Sequence, residues 1–107
     1  MAINSGDPIE ADEITLALNQ KVSYKTYYVP PQGTATASIY ASTVLVFVNI
    51  FSDSAMALIR NETDTSPYRS FLLPIKNGTV LSISVSEGVV SFTNNSTVGG
   101  TAVVMWF

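Results

Sequence analysis

The sequence contains no cysteine and no histidine, and few of its residues are charged. Without cysteine there is neither a disulfide framework nor a thiolate metal site. Without histidine the commonest general base and the commonest metal ligand are missing. The usual partners of a serine or cysteine nucleophile are therefore absent. The sequence predicts a protein that is not an enzyme and that uses no metal or cofactor.

Charge is also scarce, because 12% of the 107 residues are charged, against about 25% in ordinary soluble domains. The net charge is −3 and basic residues do not cluster, which argues against nucleic-acid binding. The longest apolar stretch, Val44–Phe51, is interrupted by Asn49 and is far shorter than the ~20 residues of a membrane-spanning helix. Neither a nucleic-acid partner nor membrane insertion is expected.

Hydrophobic residues make up 47% of the chain. A chain of this length has a high ratio of surface to volume, so a monomer has difficulty in burying so many apolar side chains. Obligate oligomers bury such side chains between subunits. We therefore expect an oligomer. The alternative is a small monomeric sandwich whose surface is made of Ser, Thr and Asn.

The last third of the chain, residues 71–107, alternates apolar and small polar residues in short runs. In Leu81–Ser86 one face is Leu, Ile and Val and the other is serine, which is typical of a strand with one buried face. Asn77-Gly78 favours a tight hairpin turn. These patterns predict a β-meander that continues to the end of the chain, where Trp106 lies in an apolar run expected in the core or between subunits.

Further strands are predicted upstream of this meander. Val44–Phe51 is almost continuously apolar, as in a central strand that is buried on both faces. The whole chain holds about seven or eight strands at regular spacing, which predicts a mainly β fold, an antiparallel β-sandwich or a jelly-roll-like knob. The other upstream strands are expected at Val22–Val29, Thr34–Tyr40, Ala55–Arg60 and Tyr68–Leu73.

One short helix is predicted before the strands. Asp7 is a suitable N-cap, Pro8 suits the first helical position, and Glu10 completes a capping-box pattern. A helix of about three turns is marginal alone, so it must pack on the β domain or bundle with its own copies. The expected organisation is a flexible segment 1–8, a helix 9–21 and a β-knob 22–107. The apolar stripe of the helix contains Ala11, Ile14 and Leu18.

A possible ligand surface combines tyrosines with the polar loop Asn61–Pro67. Tyrosine is frequent where proteins recognise partners and sugars. Tyr27, Asn61 and Asp64 are the candidates for contact with a host surface glycan. The competing interpretation is that the tyrosines are ordinary strand aromatics and that the loop residues form turns.

Two stretches resemble structural proteins of tailed bacteriophages. The first is Gly6–Ile14, GDPIEADEI, followed by Leu18-Asn19, and it is similar to the opening of phage fibre and virion-appendage proteins. The second is Leu73–Val80, LPIKNGTV, followed by Ser86-Glu87-Gly88 and Phe92, and it is similar to a hairpin near the tip of phage fibre knobs.

The resemblance implies a homotrimeric virion protein, assembled in the host cytoplasm, whose N-terminus attaches to the capsid. The short length of the chain favours a head fibre or decoration protein. Two alternatives stay open: a receptor- or carbohydrate-binding tip of a tail fibre, and a monomeric β-sandwich accessory domain. The residues implied for the capsid anchor are Met1, Ala2, Ile3 and Asn4, and those implied for the trimer contact are Ala11, Ile14, Leu18 and Trp106.

Overall fold

A computed structural model of the chain describes residues 23–62, 64 and 68–106. The predicted anchor 1–8 and helix 9–21 lie outside the described residues. So do the anchor candidates Met1, Ala2, Ile3 and Asn4 and the trimer-contact candidates Ala11, Ile14 and Leu18.

The described residues form eight strands. Each predicted strand is present: Leu81–Ser86 matches β6 at both ends, Ala55–Arg60 lies inside a longer strand, and the others are shifted at one or both ends. The strands are β1 (Ser23–Val29), β2 (Gly33–Ser38), β3 (Thr43–Ile50), β4 (Asp53–Glu62), β5 (Arg69–Lys76), β6 (Leu81–Ser86), β7 (Val89–Asn94) and β8 (Gly100–Trp106).

The strands build two antiparallel sheets that face each other. The large sheet has the order β1-β8-β3-β4-β5, and the small sheet has the order β2-β7-β6. Every strand pair is antiparallel. The mainly β, two-sheet architecture predicted from the sequence is confirmed. Pro74 lies in β5, an edge strand, which is the place in a sheet where a residue without a backbone N–H is tolerated.

The core lies between the two sheets. Val44, Val46 and Val48 of β3 are fully buried and face the small sheet, which contributes Leu81 and Phe92. Burial of one such side chain stabilises the fold by about 1.5–3 kcal/mol. The other face of β3 was also expected to be buried, but the intervening Leu45 and Phe47 are only half-buried by the described residues.

The prediction of a hairpin at Asn77-Gly78 is wrong, and the predicted meander is confirmed only where β6 pairs with β7. β5 belongs to the large sheet and β6 to the small one, so this segment crosses between sheets. Neither residue has a positive φ. β8 likewise returns to the large sheet, between β1 and β3. The physical reason is that turn residues bend the chain without determining which strand pairs with the next.

The tight turn lies ten residues further on, at Glu87 and Gly88. Their φ angles are 49° and 83°, and the pair Ser86 and Val89 closes the hairpin between β6 and β7. Two successive positive φ angles are the mark of a type I′ turn, which matches the twist of the flanking strands. The hairpin therefore requires Glu87 to adopt the left-handed backbone conformation.

Candidate functional site

The large sheet has a second face that points away from the small sheet, and we call it the outer face. Side chains alternate across a strand, so the residues between the buried valines of β3 lie on it. Neighbouring strands supply apolar residues at the matching positions. The apolar centre of the outer face consists of Leu45, Phe47, Met56, Leu58, Val103 and Met105.

The apolar residues of the outer face form a continuous band from one edge of the large sheet to the other. One row in register contains Tyr24, Met105, Leu45, Leu58 and Leu73, one residue from each strand. Tyr24 is 69% exposed and Leu73 is 61% exposed. Single exposed apolar residues are normal on a protein, whereas a contiguous band marks a contact surface.

Polar residues flank this band on both sides, towards the two ends of the strands. Asn49 and Thr101 pair in register at the end near the β3–β4 turn. At the other end are Arg60 and the ion pair between Arg69 and Glu62. The centre of the band holds no charged residue. An apolar centre rich in Met and aromatic residues, with charge at its margin, has the anatomy of a protein–protein interface.

The outward face of the small sheet, which we call the hydroxyl face, is chemically the opposite. Three cross-strand rows cover it, and eight of its nine residues carry a hydroxyl group. Serine and threonine keep a sheet surface in contact with water without using charge. The rows are Thr34, Thr93 and Ser82; Thr36, Ser91 and Ser84; and Ser38, Val89 and Ser86.

A cleft of about 100 Å³ opens at the edge of the sandwich, between β4, β5 and β6. Its lining includes Ala57, Leu72 and Ile83, and Lys76 is the one ionisable residue among the lining residues. The Lys76 ammonium donates to the carbonyl oxygen of Ser54 at 2.7 Å. No acid lines the cleft to act with this amine in proton transfer. The cleft lies between the open edges of the two sheets, β5 of the large sheet and β6 of the small one.

In the part of the chain that the structure describes, no three acidic, histidine or cysteine side chains come close enough together to hold a metal ion. Across residues 23–62, 64 and 68–106, no helix has the length and apolarity needed to cross a bilayer.

Asp53 binds the connection between β5 and β6, which passes from the large sheet to the small one. Its carboxylate accepts hydrogen bonds from the backbone N–H groups of Thr79 at 2.9 Å, Val80 at 2.8 Å and Leu81 at 3.0 Å. These bonds, Thr79 first and Val80 next, lower the pKa of Asp53 from 3.8 to about 2, against a smaller opposing effect of desolvation. The ionised carboxylate thus holds the start of β6 against the start of β4.

Asn61 is the centre of a buried polar network. Its side-chain amide donates to the carbonyl oxygens of Ile39 at 3.1 Å and Ala41 at 2.8 Å. Its side-chain oxygen accepts from the Ser70 hydroxyl at 2.6 Å. The same hydroxyl oxygen accepts from the N–H of Gly88 at 2.8 Å. One side chain therefore joins β4 to the β2–β3 connection, to β5 and, through Ser70, to the β6–β7 turn.

Asn94 is a second buried amide, at the end of β7. Its amide donates to the carbonyl oxygen of Val98 at 2.8 Å, and its oxygen accepts from the N–H of Ser96 at 3.0 Å and from the Ser96 hydroxyl at 2.7 Å. Such a local pattern replaces backbone bonds that the turn cannot make. Asn94 therefore shapes the loop that leads into β8.

The three residues of the predicted ligand surface lie in different environments. Asn61 is 2% exposed and its hydrogen bonds face inward. Tyr27 is half-buried, and its ring lies 6.5 Å from the Phe92 ring across the core. Asp64 is exposed. Trp106, the described candidate for the trimer contact, is half-buried against the core of its own chain.

Sequence reasoning missed the outer face as a unit. The signal was present, because β3, β4 and β8 each carry apolar residues at the positions between their buried ones. What was missing was the strand order that places these residues in one band. No model of a protein family, no curated protein and no solved structure matches this chain.

Proposed function

We propose that this chain is a non-enzymatic structural protein that works as a homo-oligomer. The observation that carries the proposal is the apolar band of the outer face, which runs across all strands of the large sheet. Leaving such a band in water costs about 25 cal/mol for each Å² of apolar surface. A subunit with this surface is stabilised by assembly.

The setting that we propose is the virion of a tailed bacteriophage, as a head fibre or decoration protein. The support for this setting is the resemblance of Gly6–Ile14 and Leu73–Val80 to phage fibre proteins. In this proposal three copies associate, residues 1–8 attach the trimer to the capsid, and the sandwich projects outward. Three weak attachments in one particle hold far more firmly than one, because the second and third bind at high effective concentration.

Mass measurement by light scattering over a dilution series tests the oligomer. One chain has a mass of 11.5 kDa. We expect a particle of three times that mass that persists on dilution. A chain that remains a monomer at every concentration would overturn the homo-oligomeric function.

A truncation tests the attachment separately. A chain that lacks residues 1–8 keeps every strand of the sandwich. We expect it to keep the mass of the full chain in solution and to lose co-sedimentation with capsids. A truncated chain that still sediments with capsids would refute the role of residues 1–8 while leaving the oligomer intact.

A further inference from the structure

We infer that copies of this chain bind one another through the outer face of the large sheet. The inference rests on the proposed homo-oligomer and deepens it, because it names the surface. The sequence alone pointed elsewhere, to Ala11, Ile14 and Leu18 before the sandwich and to Trp106. Trp106 packs on its own core, whereas the outer face has no covering element among the described residues.

The size of the outer face fits a contact between copies. Five strands spaced at ~4.8 Å and about seven residues rising ~3.4 Å each give a plane of roughly 24 Å by roughly 24 Å, near 600 Å². The relief of the side chains makes the accessible area larger than this plane. Stable protein–protein interfaces bury about 800 Å² on each partner. The outer face therefore approaches what one stable interface needs.

The chemistry of the outer face fits a second copy better than a charged or polar partner. Its centre offers aliphatic, Met and Phe side chains without a charged group. Phe71, 52% exposed, and Tyr24 extend this apolar surface towards the two edges. In a trimer built around one rotation axis, the outer face of each copy turns towards that axis, and its apolar side chains pack against those of both neighbours. An identical sheet supplies the same apolar chemistry.

Rotational symmetry makes assembly through the outer face compatible with attachment of the particle at one end. Closed homo-oligomers relate their copies by rotation. A rotation axis that runs alongside the strands places the Ser23 end of every large sheet at the same end of the particle. The segments that precede Ser23 then leave together, as attachment of a fibre at one end requires. The hydroxyl face of each copy points outward into water.

Glutamate substitutions test the inference with a matched control. Leu58→Glu and Leu73→Glu place a carboxylate on the outer face, on β4 and on the edge strand β5. Ser84→Glu places the same side chain on an exposed strand position of the hydroxyl face. A charge buried in an interface without a partner is strongly unfavourable. We expect the dissociation constant to rise at least ~100-fold for the outer-face variants and less than ~3-fold for Ser84→Glu.

Circular dichroism and urea unfolding check that each variant folds. Leu73 is 61% exposed on an edge strand, so Leu73→Glu is expected to fold even where Leu58→Glu does not. Outer-face variants that fold and keep the oligomeric mass would overturn the inference and leave the proposed function standing. A monomeric wild-type chain would overturn both. In that case, binding of a hydrophobic dye that appears only after removal of residues 1–21 would identify the chain's own N-terminal segment as the occupant.

Discussion

At the scale of single residues, the side chain of Asn61 makes several hydrogen bonds to distant parts of the chain. Its amide satisfies two carbonyl groups of the β2–β3 connection, and its oxygen holds the Ser70 hydroxyl. The residue is 2% exposed, so water does not replace these partners. A buried polar group that loses its partner costs about 1–3 kcal/mol.

We predict that Asn61→Ala lowers the free energy of unfolding by about 2–4 kcal/mol, since more than one buried group loses its partner. Urea unfolding followed by circular dichroism measures the change. Asn95→Ala is the control, because Asn95 is exposed, and it should change the free energy of unfolding by less than about 0.5 kcal/mol. Equal stability of the two variants would refute the network.

Asp53 makes the stability of the fold depend on pH. The pKa of its carboxyl is lowered to about 2 in the folded chain, from 3.8. A lowered folded-state pKa means that the ionised form favours folding, so this stabilisation is complete above pH 3.8. It is lost as the pH falls from there through about 2. The source is the set of three backbone N–H groups at the start of β6.

We predict that Asp53→Asn is less stable than the wild type near neutral pH and that the difference shrinks on acidification. The neutral amide loses the charge that makes the three N–H bonds strong. Urea unfolding of both chains at a series of pH values measures the difference. We expect it to narrow between pH 3.8 and about 2. Parallel curves through that range would show that Asp53 does not contribute by its charge.

Neither the hydrogen-bond network of Asn61 nor the role of Asp53 could be predicted from the sequence. Asn61 begins the most polar loop and was interpreted as a ligand residue. Its acceptors, the carbonyl oxygens of Ile39 and Ala41, lie 22 and 20 residues away in the chain. The partners of Asp53 are 26 to 28 residues away. Residue type and local spacing carry no information on such distant backbone groups.

At the scale of elements, the β6–β7 hairpin carries a residue that its turn type disfavours. Glu87 has a φ of 49°, in the left-handed region that costs an ordinary L-residue roughly 1–2 kcal/mol. Asn and Gly are the residues that type I′ turns prefer at this position. The Glu-Gly pair therefore closes the hairpin at some cost in stability.

We predict that Glu87→Asn raises the free energy of unfolding by up to about 1 kcal/mol, because Asn tolerates the left-handed conformation. Thermal or urea unfolding measures the gain. Ser86→Asn is the control, since Ser86 belongs to β6 and lacks a positive φ, and Asn is unfavourable in strands. A loss of stability in Glu87→Asn, or an equal gain in the control, would contradict the turn assignment.

The strands themselves were predictable, and their pairing was not. Alternation in Leu81–Ser86 and in Thr34–Tyr40 is a local property, so it located β6 and β2 within a few residues. Pairing depends on which faces bury each other. Asn77-Gly78 therefore looked like a hairpin although β5 and β6 join different sheets. In this part of the chain the positive φ angles lie at Glu87 and Gly88, in the turn that closes the β6–β7 hairpin.

At the scale of the whole molecule, the two outward faces of the sandwich differ in chemistry, because one is apolar and the other is covered with hydroxyl groups. The scarcity of charge and the high apolar content predicted an oligomer without identifying its surface. The strand order supplies the surface, because it aligns Leu45, Leu58 and Met105 in one row. The hydroxyl face has no comparable apolar row. The proposed assembly through the outer face and the hydration of the hydroxyl face rest on the same strand order.

The distribution of charge gives a last prediction. Residues 1–22 hold four acids and one base, and residues 23–107 hold four of each. If the acidic N-terminal segment bound Arg60 and its neighbours on other copies, salt would weaken the assembly. Contact between apolar outer faces is not screened, although the Debye length falls from about 10 Å at 0.1 M salt to about 3 Å at 1 M.

We therefore predict that the dissociation constant of the oligomer changes less than about 3-fold between about 0.1 M and about 1 M NaCl. Cooling should weaken the assembly, since hydrophobic stabilisation decreases at low temperature. Sedimentation velocity over a dilution series measures both effects. A rise of the dissociation constant with salt by about 10-fold or more would mean that ion pairs hold the copies together. The acidic segment, rather than the outer face, would then be the principal contact.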